Sequence, residues 1–255
     1  MKRAALYFSL ATMMLTPMSY AATLLENIRA GDQASALTAI KQGADVNAIE
    51  SNGTTALQWA VYKGDVALVK QLIKSGATVN TMNKYGSSPM SEAALLGDTE
   101  ILSALLKAGA DPEARNTDNM TSLMIVARSN NVEAAKLLLK NGADVNATEE
   151  WKGQNAVIWA AAQSQPQMLK LLLDAGGDAN SRSVNNERDR QISAERRFQW
   201  RPAGGITALI YASREGCLEC VQHLLNAGAD IDQGDAENVT PLLAATINMH
   251  FDTAK

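Results

Sequence analysis

NGTTALQWAVYKGDVALVKQLIKSGATVN, residues 52–80, contains a turn, a short apolar stretch, a Gly, a second apolar stretch and another Gly. Thr55 opens "TALQWA", a helix of small aliphatic residues, and Gly64 marks the turn that ends it. "VALVKQLI" then places its apolar residues at helical spacing, so a second helix follows. Gly76 stops that helix, because glycine tolerates the left-handed conformation a helix end often needs.

The unit recurs along the chain. Gly43, Gly76, Gly109 and Gly142 stand 33 residues apart, and Gly176 and Gly228 continue the series. "TALQWA" from Thr55, "SPMSEA" from Ser88, "TSLMIV" from Thr121, "NAVIWA" from Asn155, "TALIYA" from Thr207 and "TPLLAA" from Thr240 keep the same clock. Gly64, Gly97, Asn130, Ser164 and Gly216 supply the turns between helices. A fixed period of this length means an array of units that cannot bury their apolar faces alone and must stack.

With residues 204–232, "GGITALIYASREGCLECVQHLLNAGADID", residues 52–80 carry a resemblance to the ankyrin repeat family that covers about residues 22–255. The resemblance implies an all-α solenoid of stacked helix-turn-helix units with finger loops. It also implies non-catalytic recognition of another protein through a concave face formed by the fingers and first helices. The family's usual His, fourth in its Thr-Pro-Leu-His motif, is replaced by Gln58, Ser91, Met124, Ile158, Ile210 and Leu243. That His commonly ties the loop to the helix, so a looser finger is expected.

Two ends and one insertion break the period. Leu24 to Ala30 and Ala34 to Ile40 read as a first helix pair with no preceding finger, an N-terminal cap. Lys255 aligns with Lys70 in the middle of a second helix, which predicts a fragment of a longer protein and an uncovered apolar face. About six repeats and a truncated last one are expected between residues 22 and 255. Gly176 to Thr207 spans 31 residues where Gly43 to Thr55 spans 12, so a 19-residue insertion, residues 184–202, enters at a finger tip.

Composition limits the function classes. The chain is 46% hydrophobic but 5% aromatic, which suits packed helices with a core of Ala, Leu and Val. Residues 1–21 have the order of a secretory signal: Lys2 and Arg3, an apolar run from Ala4 to Leu15, Pro17, then Ser19 and Ala21 before the expected cleavage. The run is shorter than the roughly 20 residues a membrane span needs. Export to the periplasm or medium is therefore the expectation, with no membrane span afterwards. The net charge of −4 becomes −6 without Lys2 and Arg3, which gives no general attraction to nucleic acid or anionic membrane.

The candidate binding residues follow from the repeat alignment. The fifth position of the motif holds Trp59, Glu92, Ile125, Trp159 and Tyr211, and three residues later come Tyr62, Leu95, Arg128, Ala162 and Arg214. Both series are predicted to point into the groove, with Tyr85 and Trp151 added by the fingers. Trp, Tyr and Arg dominate binding hot spots. The partner-binding set is accordingly Trp59, Tyr62, Ile125, Arg128, Trp151, Trp159, Tyr211 and Arg214, with Arg196, Arg197 and Trp200 from the insertion. The insertion sets Arg188, Arg190, Arg196, Arg197 and Arg201 against Glu187, Asp189 and Glu195, net +2. Such a loop suits an acidic partner, a solvated segment, or a lid that lays Phe198 or Trp200 over Trp159 or Tyr211.

Other chemistry finds little support. "CLEC", Cys217 and Cys220, begins a second helix; it suits a local disulfide, or, as a rival reading, a thiol-disulfide redox or redox-sensing pair. Val221 excludes the C-x-x-C-H haem motif, and Cys217, Cys220 and His223 lack a fourth zinc ligand. His223 and His250 have no nucleophile or carboxylate beside them in a recognisable motif, and no phosphate-binding Gly-rich loop occurs. No catalytic residue, cofactor or metal is assigned. A regulatory domain of a longer protein is the third reading.

Overall fold

The computed structural model describes residues 17–184 and 204–255, with the backbone alone for 17–23. Its helices come in pairs. The first two pairs are α1 (Pro17–Ala30) with α2 (Gln33–Lys41) and α3 (Ala56–Tyr62) with α4 (Val66–Lys74). Then come α5 (Pro89–Leu96) with α6 (Thr99–Lys107), α7 (Ser122–Arg128) with α8 (Val132–Lys140), and α9 (Ala156–Ala162) with α10 (Pro166–Asp174). The last are α11 (Ala208–Arg214) with α12 (Leu218–Asn226) and α13 (Pro241–Ile247) with α14 (Phe251–Ala254).

The recurring hydroxyl or amide before each inner helix is its N-cap. Thr55, Ser88, Thr121, Asn155, Thr207 and Thr240 each accept from the amide three residues on, at 3.0–3.4 Å, satisfying a donor the helix start leaves open. Asp32, Asp65, Asp98 and Asn131 cap the outer helices in the same way. At the far end of α4, Gly76 has φ +87°, the left-handed conformation that stops the helix.

Inner helices pack on inner helices and outer on outer, from α1 against α3 through to α11 against α13. The contact of α9 with α11 is as direct as the others, so the insertion leaves the stack unbroken. The core is the small-aliphatic one expected: Leu57, Ala60, Leu123, Val157, Leu172 and Ala212 are fully buried. Each buried Leu or Val contributes about 1.5–3 kcal/mol.

A polar ladder ties unit to unit at the bases of the fingers. The Asn47 side chain donates to the Gly76 carbonyl and accepts from the Thr78 amide. Asn80 bridges to Gly109 and Asp111, Asn146 to Gly176 and Asp178, and Asn180 to Gly228 and Asp230. Glu113 stands at the same repeat position and accepts from the Asp144 amide.

Three features refine the sequence reading. Helix α1 begins at Pro17, ahead of the expected Leu24, so Ala21 lies inside it. Gln58 keeps the tie expected to loosen: its side-chain oxygen accepts from the Thr55 amide, and its nitrogen donates to the Ser87 carbonyl of the next finger at 2.7 Å. Leu242 and Leu243 on α13 and Phe251 on α14 form the apolar face expected at the C-terminal end. Leu242 is 56% exposed, whereas its counterpart Leu57 is fully buried.

Candidate functional site

The ends of the inner helices and the finger tips form one face, and up to residue 184 the exposed apolar residues collect there; beyond it, Leu218 and Leu225 on the outer helix α12 are exposed as well, beside the C-terminal pair. Up to residue 184, the large hydrophobics that stand exposed are Ile49, Met82, Tyr85, Trp151 and Val184 on fingers, and Tyr62, Leu95 and Leu96 on inner helices. None belongs to α4, α6, α8 or α10. Sequence reasoning assigned Tyr62 and Trp151 to this surface but left Ile49, Met82 and Leu96 unassigned. The missed residues are aliphatic at finger or helix-end positions, and only their place in the repeat distinguishes them from core residues.

Trp59, Trp159 and Tyr211 are half-buried, each lying between the core and the groove. An arginine covers each ring: Arg29 over Trp59 at 5.8 Å, Arg128 over Trp159 at 5.3 Å and Arg214 over Tyr211 at 4.8 Å. Such stacking adds about 0.5–1 kcal/mol at exposed sites. The Tyr62 ring meets Trp59 edge-on at 5.8 Å. The Tyr211 hydroxyl accepts from Gln154 of the preceding unit at 3.0 Å, and burial raises its pKa above the ordinary tyrosine value.

Ile125 requires a correction. It is 5% exposed and belongs to the core, so it is no free contact residue. The reason is positional: with Leu123, Met124, Val126 and Ala127 it makes α7 an almost wholly buried helix. Ile125 and Met120 instead line a cleft of about 370 Å³ with Leu95, Asn116, Asp118 and Arg128.

The finger carrying Trp151 is held from beneath. Its unit is one residue longer than the three before it, Gly142 to Gly176 being 34 residues against 33. The finger is stabilised by the buried Glu149, whose carboxylate accepts from the amides of Trp151, Lys152 and Gln154. Asn83, Asn116 and Asp235 bind two amides each in their own fingers. Trp151 thus stands 69% exposed on a backbone fixed by a charged acceptor.

The insertion leaves the same face. The Ser183 amide donates to the Ile206 carbonyl, and the Gly205 amide donates to the Ser183 carbonyl. Arg182 donates to the carbonyls of Gly205 and Gly234, pinning the base of this finger to the next one. Arg196, Arg197 and Trp200 lie outside the described residues.

Cys217 and Cys220 are joined as a disulfide. Cys217 sits where Asp65 and Asp98 cap, its sulfur accepting from the Cys220 amide at 3.3 Å, and Cys220 is fully buried. With both sulfurs bonded to each other, neither offers a thiolate to a metal. His223 lies 3.6 Å from Glu219 on α12, away from the groove-forming fingers and inner helices. Among the described residues no three His, Cys, Asp or Glu side chains gather as a metal site, and no helix is long and apolar enough to cross a membrane.

Comparison with known proteins agrees with this architecture. The family described as "Ankyrin repeats (3 copies)" matches residues 19–116, 109–183 and 190–255. The crystal structure of the human ASB11 ankyrin repeat domain is similar over 91% of this chain and 97% of its own, with a TM-score of 0.71 and 22% identity. The ankyrin repeat domain of Bcl-3, described as a unique member of the IkappaB protein family, covers 91% of this chain and 96% of its own, with a TM-score of 0.73 and 26% identity. No curated protein sequence matches the chain. Ankyrin repeats are generally non-catalytic scaffolds for protein–protein interaction. By the repeats it carries from one end of the described chain to the other, this protein belongs to the ankyrin repeat family.

Proposed function

We propose that the chain is an exported, non-catalytic scaffold that recognises a partner protein through its concave face, with the insertion as a second contact region. The observation that carries this reading is the distribution of exposed apolar side chains. Up to residue 184 they occupy fingers and inner-helix ends and leave the outer helices bare, while Leu218 and Leu225 on the outer helix α12 are exposed next to the short last pair, where α14 covers little of them. Exposed apolar surface confined to one face marks contact sites, and rigid aromatic anchors provide most of the energy there. Export rests on the signal-like order of residues 1–21 and places the partner in the envelope or the medium.

The test is affinity capture from the envelope fraction with the full chain and with a Tyr62→Ala, Trp151→Ala variant. Both residues are more than 60% exposed, so the variant keeps its helicity, checked by circular dichroism. The expected result is a protein retained by the parent and lost at least tenfold by the variant. Identical capture by both baits would overturn the groove assignment.

A further inference from the structure

The geometry points to a partner segment with an apolar anchor beside a carboxylate, the anchor entering the cleft between the inner helices α5 and α7 and the carboxylate meeting Arg128. This inference rests on the groove reading above and specifies the chemistry of the occupant. The cleft, about 370 Å³, is large enough for a bulky side chain with its flanking main chain. Leu95, 62% exposed, forms its wall, and Met120 and Ile125, each 5% exposed, form its floor. An apolar floor beneath an exposed leucine favours an aliphatic or aromatic side chain over a sugar or a nucleotide phosphate.

Charge fixes the rest of the occupant. Of the three arginines stacked on groove rings, Arg29 pairs with Glu50 at 3.5 Å and Arg214 with Glu215 at 3.0 Å. Arg128 has no carboxylate within 4.0 Å among the described residues. Its stacking on Trp159 holds the guanidinium on the rim and leaves its edge for a bidentate acceptor. Asp118 lines the cleft from the finger side and repels a second carboxylate there. The partner's acid therefore lies on the Arg128 side, with a main-chain N–H or a cation toward Asp118.

The test is selection of a random dodecapeptide phage library on the full chain. Selected peptides are then titrated by fluorescence anisotropy against the parent and four variants: Leu95→Glu, Arg128→Glu, Tyr62→Ala and Trp151→Ala. All four side chains are exposed, and retained helicity excludes misfolding. The expected peptides place Leu, Phe or Met beside Asp or Glu, and Leu95→Glu and Arg128→Glu each weaken them at least tenfold. Replacing the peptide's acid by its amide gives a loss that does not add to that of Arg128→Glu, because the two changes remove one interaction. Peptides weakened by Tyr62→Ala or Trp151→Ala but unaffected by Leu95→Glu and Arg128→Glu overturn the cleft and leave the groove reading standing. Preference for basic peptides overturns the charge assignment. Recovery of no peptide, or of peptides indifferent to all four variants, overturns both.

Discussion

Among the described residues, exposed apolar surface gathers in the groove and towards the C-terminal end, where Leu218 and Leu225 of α12 belong to it, and the two regions are built differently. In the groove, Trp159 and Tyr211 are half-buried and touched by polar groups, Arg128 and Gln154, and the exposed Trp151 stands on a finger held by Glu149. The buried indole N–H groups of Trp59 and Trp159, by contrast, meet no acceptor among the described residues. At the C-terminal end, Leu242, Leu243, Ile247, Met249 and Phe251 are exposed at 44–75%, and no arginine stacks on Phe251 among the described residues. Leu242 and Leu243 occupy positions that other units bury, since Leu57 and Gln58 are 0% and 3% exposed. The end face thus carries the side chains with which other units pack on the next repeat, and the groove is a surface arranged to stay exposed. Apolar exposure alone does not separate the two; the polar support beneath it does.

The largest expected effect contrasts one repeat position in the two settings. Leu123 on α7 is fully buried between neighbouring units, and Leu242 is its counterpart on α13. Leu123→Ala removes a packed side chain and leaves a cavity, costing about 2–5 kcal/mol. Leu242→Ala removes a side chain already 56% exposed and costs less than about 1 kcal/mol. Urea unfolding of both variants measures the difference. Equal losses would mean that the end face is covered in solution.

A smaller effect tests the support of the groove. Glu149→Ala strips the acceptor from the amides of Trp151, Lys152 and Gln154. A lost hydrogen bond to a charged group costs about 1.5–3 kcal/mol, most of it falling on this finger. Hydrogen exchange should accelerate at these three amides while those of α7 and α10 keep their protection. Acceleration throughout the array would show that Glu149 stabilises the stack and not the finger alone.

The period carried most of the fold. The 33-residue spacing, the capping residues and the terminal Gly placed every helix pair because each is a local device repeated in register. The start of α1 was less legible: Pro17 sits inside a stretch whose order matches a signal, and local composition serves both readings. Within the site, position in the repeat identified Trp59, Tyr62, Trp159 and Tyr211. It misread the exposure of Ile125, whose burial depends on neighbouring units and which reaches the groove only as the floor of the cleft, and it did not show Glu149 as a finger support. That role arises from a carboxylate reaching around one extra residue: the extra residue can be counted in the sequence, but the turn of the carboxylate onto three amides is visible only in three dimensions. The Arg128 cleft likewise joins Leu95 and Asp118 from different units.

The smallest effect concerns Tyr211, which links the groove rings to the core by packing against both apolar clusters. Burial raises its pKa, partly countered by the nearby Arg214 charge and the hydrogen bond from Gln154. A tyrosine whose folded-state pKa is raised binds its proton more tightly in the folded protein. Its contribution to stability is therefore complete below the unfolded value of about 10 and is lost as pH rises through the folded one. Ultraviolet difference titration of the parent against Tyr211→Phe should show one phenol ionising later than free tyrosine, and Gln154→Ala should move it further upward by removing a donor to the phenolate. Ionisation of Tyr211 at the ordinary value would place its hydroxyl in open water. The ring would then lack the support that distinguishes the groove, and its apolar exposure would resemble that of Phe251.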